Sequence, residues 1–310
     1  MLFNKGNNGS KELQQLTGTF AASNNYSIIE SEVDDAIRTV AGLVGWPVVK
    51  AADALYQQDT TDGLVAAVRL PVAVLAVSRH SRNNLVSHDA TGSKVKADAN
   101  EKMPWEWMID RDERAQQERY YRALDALYEF LTNANPPVAA WAGSEAFYRQ
   151  AASIVRSLDE MEAVYPVDGS YYVYYLLQGL VVETQPRLRK MIGDSKWEQI
   201  TRPDVSDEDM DLLRVCQRWA VLSALVKAAR RWSLEVFPLS IARRFCPSYQ
   251  GGRSSRAATR EEMDAYVAAL EGQIEEAHEE IAELLAGKNP WEGFDPQPHN
   301  DPRNKFFTTQ

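Results

Sequence analysis

Hydrophobic side chains recur three and four positions apart along most of this 310-residue chain. That spacing places them on one face of a helix, so it predicts amphipathic α-helices and an all-α protein. The clearest apolar stripes run from Val33 to Val44, Leu64 to Val77, Tyr120 to Leu131, Tyr171 to Met191, Leu212 to Val226 and Met263 to Leu284.

Capping residues and helix breakers predict where these helices begin and end. Residues 27–30 have the Ser-x-x-Glu pattern of a capping box ahead of the first helix, and Gly45 with Pro47 predicts its end. Ser206 predicts the start of a later helix, whose first turns carry acidic residues on the positive end of the helix dipole. Pro71 lies within a stripe and is expected to kink that helix.

Four segments depart from the helical period. Residues 83–103 carry turn residues and predict a long loop, with a short hairpin as the alternative; loops of that length are usually functional or mobile. Residues 133–137 predict a linker, and residues 144–165 fit a helix about as well as short extended pieces. Residues 287–310 predict an extended tail that carries Trp291, Phe294, Phe306 and Phe307.

The order of helices repeats along the chain at an offset of 148 residues. The third helix of each copy fits best at a slightly larger offset, which aligns Tyr128 with Ile281. This repeat predicts two tandem helical units, residues 1–135 and 136–286, followed by the tail; a chance match of two three-helix halves is the alternative. Residues aligned at the first offset include Gly45 with Gly193, Leu64 with Leu212, Val68 with Cys216, Val77 with Leu225, and Arg79 with Lys227.

The formal net charge of −10 argues against wholesale wrapping of nucleic acid, which needs an excess of Lys and Arg. A local basic stripe is still present, and a solvated helix face is its favoured interpretation. The stripe comprises Lys227, Arg230, Arg231, Arg243 and Arg244.

The sequence predicts neither a membrane span nor secretion. Its longest apolar run, Leu64 to Val77, has about 14 residues where a span needs roughly 20, and Arg69 interrupts it. The Asn- and Gly-rich start has no apolar signal region, which favours a reducing compartment. The two cysteines, Cys216 and Cys246, do not form a CxxC motif. Cys216 lies in an apolar run and is expected to be a small buried hydrophobic residue.

No motif for catalysis, cofactor binding or metal binding is present. The sequence lacks a phosphate-binding glycine loop, a dinucleotide fingerprint and a nucleophile elbow. The four histidines have no partners at metal-ligand spacing. We therefore predict no catalytic, cofactor or metal residues and a non-enzymatic protein. The histidines are His80, His88, His278 and His299.

Two acidic clusters permit an alternative function. If both faced one cavity, they could hold magnesium and a diphosphate. Both lie at predicted helix N-termini, where a negative charge gains about 0.3–1 kcal/mol from the dipole, and this structural interpretation is favoured. The clusters are Glu32, Asp34 and Asp35, and Asp207, Glu208, Asp209 and Asp211.

Aromatic residues are abundant near loops and helix starts. Tyr171, Tyr172, Tyr174 and Tyr175 surround one helix with more aromatic surface than one core can bury. They could attach loops to the bundle, or they could form a subunit interface, where Trp and Tyr are enriched. Trp105, Trp107, Trp141 and Trp291 raise the same two alternatives.

Several local features together resemble a known family. They are the Met-Leu-Phe-Asn start, the helix that ends at Gly45, a loop with Ser87 and Gly92 before a Trp-containing third helix, and a restart at residues 165–170. They resemble a duplicated protein family of phages and prophages of Bacteroides-type gut bacteria. Each half is also similar to the small helical head–tail connector (adaptor) proteins of long-tailed phages.

The resemblance implies a virion structural protein that is assembled in the host bacterial cytoplasm. Connectors form a homo-oligomeric ring, for example a twelvefold one, beneath the portal and link capsid to tail. The implied partners are the portal protein and tail or other connector proteins, with passing contact with DNA in a channel and no membrane. Residues 83–103 and 287–310 would bind neighbours. The alternatives are the metal- and diphosphate-dependent helical enzyme and a bacterial helical scaffold.

Overall fold

A computed structural model describes the chain at residues 2–60, 62–84, 87–89, 92–94, 105–232 and 259–287. Over these residues the protein is built almost entirely from helices, which confirms the all-α class. Its two strands, β1 (Ser87–Asp89) and β2 (Gly92–Lys94), are three residues long and pair antiparallel, with Ser87 opposite Lys94. They lie within the predicted loop.

The described residues form twelve α-helices, together with short 3₁₀ turns at Lys5–Asn7 and Tyr26–Ile28. The α-helices are α1 (Gly9–Thr17), α2 (Glu30–Val44), α3 (Trp46–Gln57), α4 (Gly63–Asn83), α5 (Glu106–Asn133), α6 (Ala139–Ala142), α7 (Glu145–Ala152), α8 (Leu158–Glu162), α9 (Tyr171–Ile192), α10 (Asp194–Ile200), α11 (Asp207–Arg231) and α12 (Arg260–Leu285).

Helix α4 is the central helix of the N-terminal half, where it packs against α1, α2, α3 and α5. It continues through Pro71, which is buried, and extends beyond both ends of the apolar run from Leu64 to Val77. Among the described residues it is the one helix that could cross a membrane by length and composition, but half of its most apolar 18-residue window is buried inside the protein. Its contacts on all sides are those of a core helix.

The N-terminal segment belongs to this core, although the sequence predicted a polar start with one short helix. Leu2 and Phe3 are 1% and 2% exposed. Arg69 of α4 donates to Glu12 of α1 at 2.8 Å, and its guanidinium lies 4.7 Å from the centre of the Phe3 ring. Tyr56 donates to the same carboxylate at 2.8 Å, so one polar network holds the segment on α4.

Helix α11 has the same central position in the C-terminal half, where it packs against α8, α9, α10 and α12. Ser206 caps it by accepting from the Asp209 amide at 3.3 Å, as predicted. Cys216 on this helix is fully buried, and burial raises the pKa of its thiol to about 12. The prediction that Cys216 is a small buried hydrophobe is confirmed; Cys246 lies outside the described residues.

The tyrosines at the start of α9 are buried where α9 meets α5. Tyr175 stacks on Tyr128 of α5 with 4.8 Å between ring centres, and Tyr172 stacks on Tyr121 at 5.6 Å. Trp141 meets the edge of the same cluster. The cluster therefore joins the two halves of one chain, and one continuous hydrophobic core runs through both.

Three local predictions need correction. The capping box at residues 27–30 does not form, because a 3₁₀ turn occupies 26–28 and Asn25 caps it instead. Gly45 does end α2, but Pro47 lies in the first turn of α3, where its missing N–H costs nothing. Helices α3 and α10 were absent from the sequence prediction.

Candidate assembly surface

Large apolar side chains are exposed at the start of α5. Trp105 is 70% exposed, Trp107 51% and Met108 41%. The Trp105 carbonyl accepts from the amides of Met108 at 2.8 Å and of Ile109 at 3.2 Å, which forms the first turn of α5. Exposed apolar groups that adjoin one another usually mark a binding surface, and tryptophan contributes strongly at interfaces. We call Trp105, Trp107 and Met108 the Trp edge.

A groove of about 340 Å³ lies beside the Trp edge, between the end of α4 and the start of α5. Met108 and Ile109 supply its apolar lining. Arg82 and Glu113 form a bidentate ion pair at its rim, at 2.9 and 3.1 Å, and the bond to Glu113 raises the pKa of Arg82. An apolar floor with a polar rim is the usual anatomy of a protein interface. The remaining lining residues are Ser78, Ser81, Asp112 and Gln116.

The β1–β2 hairpin belongs to the segment that connects the two helices of this groove. It lies in the connection between α4, which ends at Asn83, and α5, which begins at Glu106. The Arg82–Glu113 pair joins the last turn of α4 to α5, seven residues after the first residue of α5.

A second cleft, of about 730 Å³, lies between α8, α11 and α12. Its apolar lining includes Val164, Leu213 and Leu284. Arg218 of α11 and Glu280 of α12 form an ion pair across it. Other charged side chains around the cleft are Asp159, Glu160, Asp211 and Arg214.

The two acidic clusters lie on helices that have different packing partners. Helix α2 packs against α4, whereas α11 packs against α9 and α12. Asp35 is paired with Arg79. A hydrogen bond from Lys196 at 2.8 Å holds the pKa of Asp209 below its usual range. Each cluster is thus engaged by a cation from its own neighbouring helix, and no group of three or more metal-ligating side chains occurs within the described part of the chain.

The basic stripe is bound by carboxylates of the chain itself. Arg231 donates to Glu183 at 2.6 and 2.8 Å, and Lys227 donates to it at 3.1 Å. These two hydrogen-bond partners, Arg231 first, lower the pKa of Glu183 to about 2. Arg230 donates to Glu271 at 2.6 Å. This part of the stripe is therefore a paired helix face, while Arg243 and Arg244 lie outside the described residues.

The histidines that the structure describes have ordinary structural surroundings. His80 meets the edge of the Phe20 ring at 5.7 Å, and His278 lies 3.7 Å from Glu275 on its own helix. The side chain of His88 and all of His299 lie outside the described residues.

Sequence reasoning identified Trp105 and Trp107 as interface candidates but missed the groove beside them. The groove depends on which helices pack together and on how far they are shifted along their axes. A local sequence pattern predicts neither.

Comparison of the chain with protein-family models, with curated proteins and with solved structures finds no match.

Proposed function

We propose that this chain is a non-enzymatic structural protein of the head–tail connector (adaptor) type, built from two tandem helical units. It assembles with further copies into a ring under a phage portal and links capsid to tail. The Trp edge and its groove carry this proposal, because they form an apolar surface with no partner within the described residues. The connector class itself rests on the sequence resemblance.

Two glycines support the tandem arrangement. Gly45 ends α2 and precedes α3, and Gly193 ends α9 and precedes α10. Their φ angles are 91° and 83°, and their ψ angles are 142° and 155°. Positive φ favours glycine, so both copies need it at the same corner.

An ion pair recurs at the same offset. Asp35 of α2 binds Arg79 of α4, and Glu183 of α9 binds Lys227 of α11. Both members of the second pair stand 148 residues after those of the first. This agreement is independent of the hydrophobic pattern, because charged surface residues do not take part in it.

Two further pairs of buried positions follow the same offset. Leu13 of α1 and Met161 of α8 are both fully buried, and Tyr26 and Tyr174 are 6% and 0% exposed. Helix order and packing also repeat, because α4 contacts α2, α3 and α5 as α11 contacts α9, α10 and α12. The proposed units are residues 1–135 and 136–286, and the tail follows as residues 287–310.

The proposed partners are the portal protein, tail or other connector proteins and further copies of this chain. The virion is the proposed location, after assembly in the bacterial cytoplasm. The acidic net charge suits a channel wall that DNA passes without binding tightly. Neither a cofactor nor a membrane has a part in this proposal.

Replacing Trp107 by alanine tests the assembly surface. We expect the full-length chain to form large oligomers as its concentration rises, alone or with a phage portal protein. Truncation of a central interface tryptophan commonly costs about 2 kcal/mol or more, so we expect Trp107→Ala to weaken assembly by about 30-fold. Mass photometry over a wide concentration range measures this shift.

Trp46→Ala is the matched control, since Trp46 is also half exposed in the first turn of a helix but lies on α3, away from the Trp edge. It is expected to leave assembly unchanged. A wild-type chain that stays monomeric with and without portal protein would contradict the proposal, and so would equal effects of the two substitutions.

A further inference from the structure

Apolar and charged side chains together line the surface cleft between α8, α11 and α12. Leu213 and Leu284 are partly buried within it, and Ala163 at the end of α8 is exposed. Its volume of about 730 Å³ is within the range of pockets that enclose a ligand of drug size. A cleft of this size with apolar groups in its lining is large enough for an aromatic side chain.

An aromatic ring occupies the corresponding place in the N-terminal half. Phe130 of α5 packs so closely on Gly63 that a β-carbon there would lie 2.8 Å from the ring. At the offset of the proposed repeat, Gly63 corresponds to Asp211, which lines the cleft. The residue that corresponds to Phe130 on α12 is Glu283, so α12 supplies no ring to fill the space.

The chain leaves α12 at the rim of this cleft. Leu284 lines the cleft and α12 ends at Leu285. Gly287 then has a φ of 69°, and its amide donates to the Leu284 carbonyl at 3.2 Å. A left-handed residue at this position ends a helix and turns the chain away from the helix axis.

An aromatic residue follows within reach. Trp291 stands four positions after Gly287, and four extended residues span about 13 Å. Phe294 comes next, so two aromatic side chains lie in the first part of the tail. A tether this short gives an effective concentration in the millimolar range, which favours the chain's own tail over that of another copy.

We propose that the cleft is the docking site for the chain's own tail, with Trp291 seated between α8, α11 and α12 in the place that Phe130 fills in the N-terminal half. This proposal does not depend on ring assembly.

Fluorine NMR of the full-length chain labelled with 5-fluorotryptophan tests the proposal. The Trp291 resonance is assigned by its loss in Trp291→Phe. A soluble paramagnetic reagent then reports the exposure of each indole. We expect it to relax Trp291 several-fold less than the exposed Trp46, which lies off the Trp edge, and about as little as the buried Trp141.

Ala163→Arg places a long side chain in the cleft from an exposed position, and Ala151→Arg on α7 is a matched exposed alanine away from it. The first is expected to expose Trp291 to the reagent, and the second to leave it protected. If Trp291 is relaxed as strongly as Trp46 in the wild-type chain, the proposal is wrong. Protection that disappears on dilution would assign the cleft to the tail of a second copy and would also overturn it.

Discussion

Replacing Gln185 by alanine is expected to lower the free energy of unfolding by about 3 kcal/mol. Gln185 lies on α9 and is 8% exposed. Its carbonyl oxygen accepts from the Ile154 amide at 2.6 Å, and its amide donates to the Ala152 carbonyl at 3.1 Å. The substitution leaves the buried Ile154 amide without its partner, removes the part-buried bond to the Ala152 carbonyl, and opens a cavity.

Urea denaturation followed by far-ultraviolet circular dichroism measures the effect. Gln117→Ala is the control, because Gln117 is an exposed helical glutamine whose one side-chain bond, to the Tyr121 hydroxyl, is 3.2 Å long. We expect the control to change the free energy of unfolding by less than about 0.5 kcal/mol. Equal losses in the two variants would show that the buried bonds of Gln185 contribute nothing of their own.

The segment that Gln185 holds is the one whose structure the sequence left open. Between α7 and α8 the chain is extended, and Ile154 and Val155 are 2% and 0% exposed. Extended buried backbone needs hydrogen-bond partners, and within the described residues no strand lies beside it to supply them. Three glutamines do so instead: Gln217 donates to the Ile154 carbonyl, Gln178 donates to the Val155 carbonyl and Gln185 makes both of its bonds.

Sequence reasoning could not find this arrangement. A glutamine within a helix is normally assigned to the solvent side, because burial of an amide without partners is costly. Only the path of residues 153–157 makes these positions favourable. The Arg69 network in the N-terminal half escaped prediction for the same reason, since its carboxylate comes from a segment that looked like a polar terminus.

Helices with long stripes and strong caps were predictable. Thr259 and Glu262 form the full capping box of α12, and Ser170 caps α9 by accepting from the Val173 amide. Short helices were not, because α3 and α10 follow directly on a glycine that also ends the preceding helix. In each case one glycine ends the preceding helix and caps the next one. The local sequence pattern predicts only the helix end.

The candidate assembly surface was also predictable only in part. Composition and position marked Trp105 and Trp107, since large aromatic residues beside a loop are uncommon in a solvated turn. The same sequence signal was present for the tyrosines of residues 171–175. In the structure, however, Tyr172 and Tyr175 are buried between α5 and α9, and Tyr174 is buried beside the Val155 carbonyl. The tryptophans are exposed and these tyrosines are buried. This difference depends on how α5 packs against α9, which the sequence of neither helix shows alone.

That packing contains a carboxylate whose removal is expected to cost about 2 kcal/mol. Asp125 of α5 accepts from the Ser170 hydroxyl at 2.7 Å and from the Tyr172 amide at 2.9 Å. It therefore caps α9 from another helix and joins the two halves of the chain. Asp125→Ala leaves the Tyr172 amide without this acceptor, and urea denaturation should show the loss.

The pH dependence of Asp125→Asn separates charge from hydrogen bonding. Burial raises the pKa of Asp125, although its bonds with Ser170 and Tyr172 act in the opposite direction. The folded state thus binds this proton more tightly than the unfolded state. As pH rises from the ordinary aspartate pKa, about 3.9, through the raised value, the charged group costs the folded state stability.

The side-chain amide that Asp125→Asn introduces does not ionise in either state, so this variant keeps a neutral acceptor and lacks the cost of a buried charge. Its free energy of unfolding minus that of the wild type is expected to increase with pH across that window and then to level off. Asp204→Asn, at an exposed aspartate, is the control and should give a nearly constant difference. A difference for Asp125→Asn that stays flat or falls with rising pH would mean that burial does not disfavour this charge, and that Asp125 acts as an ionised cap on the positive end of α9.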